Sequence, residues 1–171
     1  MEIEISFPEE HFSEFYALGS NHMADSYPYN VSEGENHLLY LGVSNHLGSS
    51  MFYNVTVKVG TVDESVSNAT TPSSLPAVYK YLVFLENGHS WEGGLNFSLS
   101  NILFSGNSCY VTGANVNGIS ARLAETSIWN SESNSFPLQM IFELWAYNQT
   151  TQGMRYTGLF LILRLNMTSR T

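Results

Sequence analysis

The sequence predicts an all-β domain, and three observations carry that expectation. Apolar and polar residues alternate with period two in several short runs, and Gly, Asn, Ser and Pro separate those runs. Hydrophobic residues make up 43% of the 171, with ten Phe, ten Tyr and three Trp, which is too apolar and aromatic a composition for a disordered chain. A chain of this length buries roughly two-thirds of its unfolded surface, enough for one domain over residues 1–171.

Taken in order, residues 1–11 read as an arm or linker from an upstream membrane segment, with Ser6, Pro8, Glu9 and Glu10 resembling a helix start. Phe12 to Leu18 is a strand candidate, followed by a loop over 25–34 that holds Pro28 and Gly34. Residues 38–44 form the next strand. The clearest one covers 51–59, where Met51, Tyr53, Val55, Val57 and Val59 share one face and Asn54, Thr56 and Lys58 take the other. A Ser/Thr/Pro loop over 65–76 separates it from 78–85, which is apolar on both faces and therefore expected to be central. Asn87-Gly88 is a turn signal and 95–103 a further strand. Residues 119–127 carry good helix formers from Ala121 to Glu125, which offers a short helix as an alternative there. After a polar stretch over 130–137, residues 139–147 read as a second central strand. The run 159–167 closes the domain, with Leu159, Leu161, Leu163, Leu165 and Met167 on one face. Together these predict an immunoglobulin-like antiparallel β-sandwich of about seven to nine strands.

Charge narrows the function classes. The chain carries −9 with only six Lys and Arg, scattered singly, so it lacks the clustered cations that phosphate backbones require and is expected to bind no nucleic acid. No apolar run approaches the roughly 18 residues of a membrane span, and the acidic start is unlike a signal peptide. Either an anchor or export signal is therefore expected outside these residues, or the protein is cytoplasmic. The single Cys109 reads first as a small buried thiol and second as an intermolecular bridge.

Compartment is argued from asparagines. Six Asn-x-Ser/Thr sequons begin at Asn30, Asn54, Asn68, Asn96, Asn148 and Asn166. A glycan must project into solvent, and all six fall in loops, at strand ends or on the faces read as polar. An extracytoplasmic location at the cell membrane or surface follows as an expectation.

Local catalytic and cofactor patterns fail in turn: there is no G-x-S-x-G, H-E-x-x-H, C-x-x-C, G-x-G-x-x-G or P-loop. His11, His22, His37, His46 and His89 show no metal-ligand spacing, and His37 and His46 bracket one strand at its two ends. Asp25, Asn30, Glu33 and Glu35 could form a weak calcium site, although solvated turn residues are the better reading. No catalytic residue, metal or cofactor is assigned, and the domain is expected not to be an enzyme. Two rivals stand beside that reading. One is a carbohydrate- or small-ligand-binding module using loop-end aromatics Trp91 or Trp129, with Trp145 read as packing. The other is a hydrolase whose carboxylate pair, drawn from Glu9, Glu14, Asp25, Glu33, Glu35, Glu86, Glu92 and Glu143, is assembled in space.

The run from Phe12 through Glu14, Phe15, Tyr16 and Ala17 to Gly19, then Ala24-Asp25-Ser26-Tyr27-Pro28, Gly34-Glu35 and Gly42-Val43-Ser44-Asn45-His46, resembles a family. So do Tyr53, Val55 and Val57, and the ending Tyr156-Thr157-Gly158 with Leu163, Leu165, Asn166, Met167 and Thr168. The chain is similar to the extracytoplasmic part of the predicted membrane proteins grouped as domain of unknown function 1616, found mainly in archaea. Leu47 departs from the acidic residue expected after Asn45-His46. The resemblance implies either a soluble domain of a membrane-anchored parent or a relative lacking the anchor, and no defined activity; the expected role is structural or interactive, with envelope proteins or glycans as partners. The matched residues themselves read as architecture: Gly42 permits close backbone approach, and Tyr16 and Tyr53 are large amphipathic packers.

Overall fold

A computed structural model describes residues 10–62 and 66–168. The helix start read at Ser6 to Glu10 and the carboxylate of Glu9 lie, apart from Glu10, outside the described residues, as does most of the arm over 1–11. Among the described residues all the regular structure is β, in ten strands: β1 (Phe12–Leu18), β2 (Asn30–Val31), β3 (His37–His46), β4 (Met51–Gly60), β5 (Ala77–Leu85), β6 (Ser90–Ser105), β7 (Ser108–Val116), β8 (Ile119–Ile128), β9 (Phe136–Asn148) and β10 (Gly153–Met167). No helix among the described residues is long and apolar enough to cross a membrane.

The strands form two five-stranded sheets, ordered β1-β3-β6-β7-β8 and β2-β10-β9-β4-β5. All pairings are antiparallel except the two-residue parallel contact of β2 with β10. The expected sandwich is present, with ten strands rather than seven to nine. Alternation puts Leu39, Leu41, Val43, Leu95, Phe97 and Leu99 of one sheet against Tyr53, Val55, Val57, Leu138, Met140, Phe142 and Leu144 of the other, all nearly inaccessible to solvent. Burying each such side chain contributes roughly 1.5–3 kcal/mol, so this interface dominates the stability.

Two expectations are corrected. Residues 119–127 belong to a strand, β8, because they pair along β7 from Val116↔Ile119 to Ser108↔Ile128, and sheet contacts override the helical preference of Ala121 to Glu125. Strand β5 is an edge strand, not a central one; its second apolar face, Leu82 and Phe84, is open to solvent at 67% and 62% exposure. Strand β9 is central as expected, between β10 and β4.

The residues that carry the family resemblance pair with one another. Phe12 to Leu18 run against His46 to Tyr40 in register, and the Tyr16 ring lies over Gly42, where a Cβ would sit 2.1 Å from it. Asn45 is fully buried and ties the following turn: its Nδ2 donates to the carbonyls of Ser49 and Leu85 at 2.9 Å, and its Oδ1 accepts from Leu47 N. The Tyr53 and Ser13 hydroxyls bond across the two sheets at 2.7 Å. The signature is therefore an architectural one at these positions.

Candidate binding site

The sandwich is open along one side, between β1 of the first sheet and β10 of the second. A groove of about 740 Å³ lies there, lined by Phe15, Tyr16, Ala17, Tyr27, Tyr29, Leu39, Phe142, Leu161, Ile162, Leu163 and Arg164. The lining includes runs of consecutive residues, 15–17 and 161–164. Alternate residues of a strand point to opposite faces, so a groove bounded by consecutive ones is bounded by the strand's edge.

Both edges carry outward-facing backbone groups. The Tyr27 hydroxyl, from a lining residue of the loop between β1 and β2, donates to the Ala17 carbonyl at 2.8 Å. Phe15 and Ser13, two and four residues earlier, direct their N–H and C=O groups to the same side. On β10, Asn166 N donates outward to Tyr29 O, so Arg164 and Ile162 face the groove with their backbone groups in the same way. Strand β2 covers only Asn166 and Met167 of that edge. The floor is apolar, with Leu39 and Phe142 at its base, and the guanidinium of exposed Arg164 supplies the one positive charge of the lining.

A second concentration of polar groups lies on the outer face of the β10-β9-β4-β5 sheet. Glu143 of β9 is completely buried there. Its Oε2 is 2.9 Å from Lys58 Nζ and accepts from Thr56 Oγ1 and Trp145 Nε1, while its Oε1 accepts from Ser67 Oγ at 2.7 Å and Ser73 N at 2.6 Å. Lys58 Nζ also donates to Ser73 O at 2.6 Å. Ser67 and Ser73 belong to the β4–β5 loop, which crosses this face and reaches β10: Tyr156 donates to Asn68 O, and the Ala69 carbonyl lies so close to Gly158 that a Cβ would be 2.5 Å from it. Burial alone would raise the Glu143 carboxyl pKa. Hydrogen bonds from Ser67, Lys58 and Ser73, with the ammonium charge of Lys58, outweigh burial and hold it below the ordinary carboxylate value. A carboxylate held so by a cation and four other donors is a clamp for the loop.

The remaining predicted residues are dispersed. Glu14 lies beside His46 at 3.5 Å, Glu86 beside His89 at 3.5 Å and Glu92 beside His22 at 3.9 Å. Glu35 is 3.7 Å from His37, Glu33 accepts from Ile102 N, and Asp25 accepts from Asn21 Nδ2, so the residues read as a calcium loop are engaged with three different partners. His37 and His46 occupy the two ends of β3 as expected. Trp91 is half-buried, edge-on to Tyr81 at 5.1 Å and packed against the core, and Trp129 sits edge-on to Phe136 at 5.1 Å. Neither forms a free aromatic shelf at the groove. Cys109 is buried, and burial pushes its thiol up to about 11. Sequence reasoning missed the groove because it is made by two strand edges from opposite ends of the chain. It missed the loop clamp because Lys58 alternates as a polar-face residue, whereas Lys58 and Thr56 are in fact covered.

Comparison with known proteins places the chain in a family. The sequence model of the domain of unknown function DUF1616 matches residues 7–102. The chain belongs to that family. No curated protein matches. Among solved structures, β-glucosidase from Listeria innocua in complex with glucose is similar at TM-score 0.45 and 11% identity, over 92% of this chain and 16% of that one. The same enzyme without ligand gives TM-score 0.44 and 11% identity, over 91% and 16%. This chain thus spans about a sixth of the structures it resembles, and their activity is a property of those proteins.

Proposed function

We propose that this domain is a non-enzymatic interaction module of the cell envelope, held outside the cytoplasm, whose contact site is the groove between β1 and β10. The observation that carries this reading is an apolar floor flanked by two open backbone edges. An extended segment of a partner protein laid along such an edge gains main-chain hydrogen bonds from the edge and apolar contact from alternate side chains. Arg164 favours an acidic side chain at the rim. The buried carboxylate Glu143 supports the same reading, since it is committed to Lys58 and the β4–β5 loop. An extracytoplasmic location is supported by four sequon asparagines, Asn30, Asn68, Asn96 and Asn148, standing exposed. Attachment to the membrane would come from a segment outside these residues.

The test is fluorescence anisotropy with a labelled octapeptide of alternating Val and Thr that carries one Glu. Saturable binding that is abolished by Leu161→Lys, and by N-methylation of alternate peptide bonds, is the expected result. Absence of saturable binding to the unmodified protein, or equal binding of the N-methylated peptide, contradicts the reading. Fractionation of the source cells tests the location separately, and recovery in the cytosol overturns that part.

A further inference from the structure

The outer face of the β10-β9-β4-β5 sheet carries an apolar surface that neither the groove nor the Glu143 clamp explains. Directly opposite residues of an antiparallel ladder share a face, so the register sets Leu82, Asn54, Trp145 and Tyr156 in one row across four strands. Phe52 and Phe84 pair in the adjacent row. Leu82, Phe84 and Phe52 are 67%, 62% and 39% exposed, a contiguous apolar patch of the kind that marks a covered surface. At its edge, opposite Leu82, stands Asn54, which begins the sequon Asn54-Val55-Thr56 and lies two residues after Phe52 on the same face. Asn54 is half-buried, and its carboxamide oxygen is buried without a hydrogen-bond partner.

We propose that Asn54 is an N-glycosylation site and that the sugar attached to it covers this face. A pyranose ring presents C–H groups on one side, and these pack on aromatic and aliphatic surface. Phe52 and Leu82 are placed to receive the first ring and Phe84 the next. In the modification, Asn54 Nδ2 attacks C1 of a lipid-phosphate-linked oligosaccharide supplied by the exporting cell. The C1–N bond forms, the C1–O bond to the phosphate breaks, the lipid phosphate leaves with the electron pair, and the amide gives up one proton. Asn68 and Asn148 use their amide oxygens to close turns, at Thr70, Thr71 and Thr151, and Asn166 accepts from Ser135. The inference rests on the extracytoplasmic reading above.

The test forces export, so that its outcome does not depend on where the protein resides natively. The full chain is secreted behind a cleavable signal from yeast and analysed by site-resolved glycopeptide mass spectrometry. Occupied Asn54 is expected, with loss of that glycan in Asn54→Gln. Enzymatic removal of the glycans should lengthen retention on a hydrophobic-interaction column, and Phe52→Ser/Leu82→Ser/Phe84→Ser should abolish that shift. Glycans at Asn30, Asn68, Asn96 or Asn148 with Asn54 bare overturn the proposal and leave the export reading intact. A secreted chain bare at every sequon overturns it as well, and an occupied Asn54 with unchanged retention overturns the covering role.

Discussion

Replacing Lys58 by Met removes the cation that faces Glu143 while keeping most of the side-chain volume. Glu143 is completely inaccessible and Lys58 nearly so, so water cannot substitute for the lost ammonium. Breaking a buried ion pair on one side costs about 3–5 kcal/mol. The four other donors to Glu143, from Ser67, Ser73, Thr56 and Trp145, soften the loss and place the expectation at the lower end of that range. For a chain of this size each kcal/mol lowers Tm by roughly 2–4 °C, so Lys58→Met should lower it by about 6–12 °C in calorimetry at pH 7. The Lys58→Met/Glu143→Leu double variant should recover part of the loss, since the isolated carboxylate is then gone. The pH dependence has a definite sign. The folded-state pKa of Glu143 is depressed from its ordinary 4.5, so its contribution is present above about that pH and is lost as pH falls through the lower folded value. Glu143→Gln should therefore flatten the acid limb of the stability curve. A Tm change under about 2 °C for Lys58→Met would refute the view that the pair clamps the loop.

Further expectations follow from single contacts. Asn45→Ala leaves Leu85 O and Leu47 N without their buried partner, and about 1–3 kcal/mol is lost per such group, measurable by urea unfolding. Gly42→Ala must displace the Tyr16 ring and should cost about 1–3 kcal/mol, with Tyr16→Ala in the same chain recovering most of it in a double-mutant cycle. Cys109, buried and with its thiol at about 11, should resist a thiol reagent at pH 8 in the native state and react on unfolding; rapid native labelling would contradict its burial.

What was legible in the sequence depended on how regularly each strand alternates. Met51 to Val59 and Leu159 to Met167 each place an apolar residue at every second position, and both were readable as strands. In β6 the inward positions shift from Leu95, Phe97 and Leu99 to Ile102 and Phe104. In β7 they shift from Cys109 and Val111 to Ala114 and Val116. The two strands kink together at Asn101 and Thr112, where a ladder pair is missing and Asn101 has φ 54°, so no single period-2 pattern survives. In β8 the buried positions are the polar Glu125 and Ser127, whereas Ile119 and Ile128 are exposed, which leaves Leu123 as the one large apolar residue facing the core. The groove had no local signature, because its two edges come from opposite ends of the chain and its chemistry resides in backbone groups shared by every residue. The sequons were visible at once, but only the register shows that Asn54 faces an apolar neighbourhood.

The most direct test of the interaction reading is a backbone amide NMR titration of the protein with the alternating Val/Thr/Glu peptide. Shifts and protection confined to Ser13, Phe15 and Ala17 of β1 and to Ile162 and Arg164 of β10 are predicted. Shifts that fall instead on the Glu14–Glu92 side of the first sheet or on the Phe52–Phe84 face, or no shifts at saturating peptide, would contradict it.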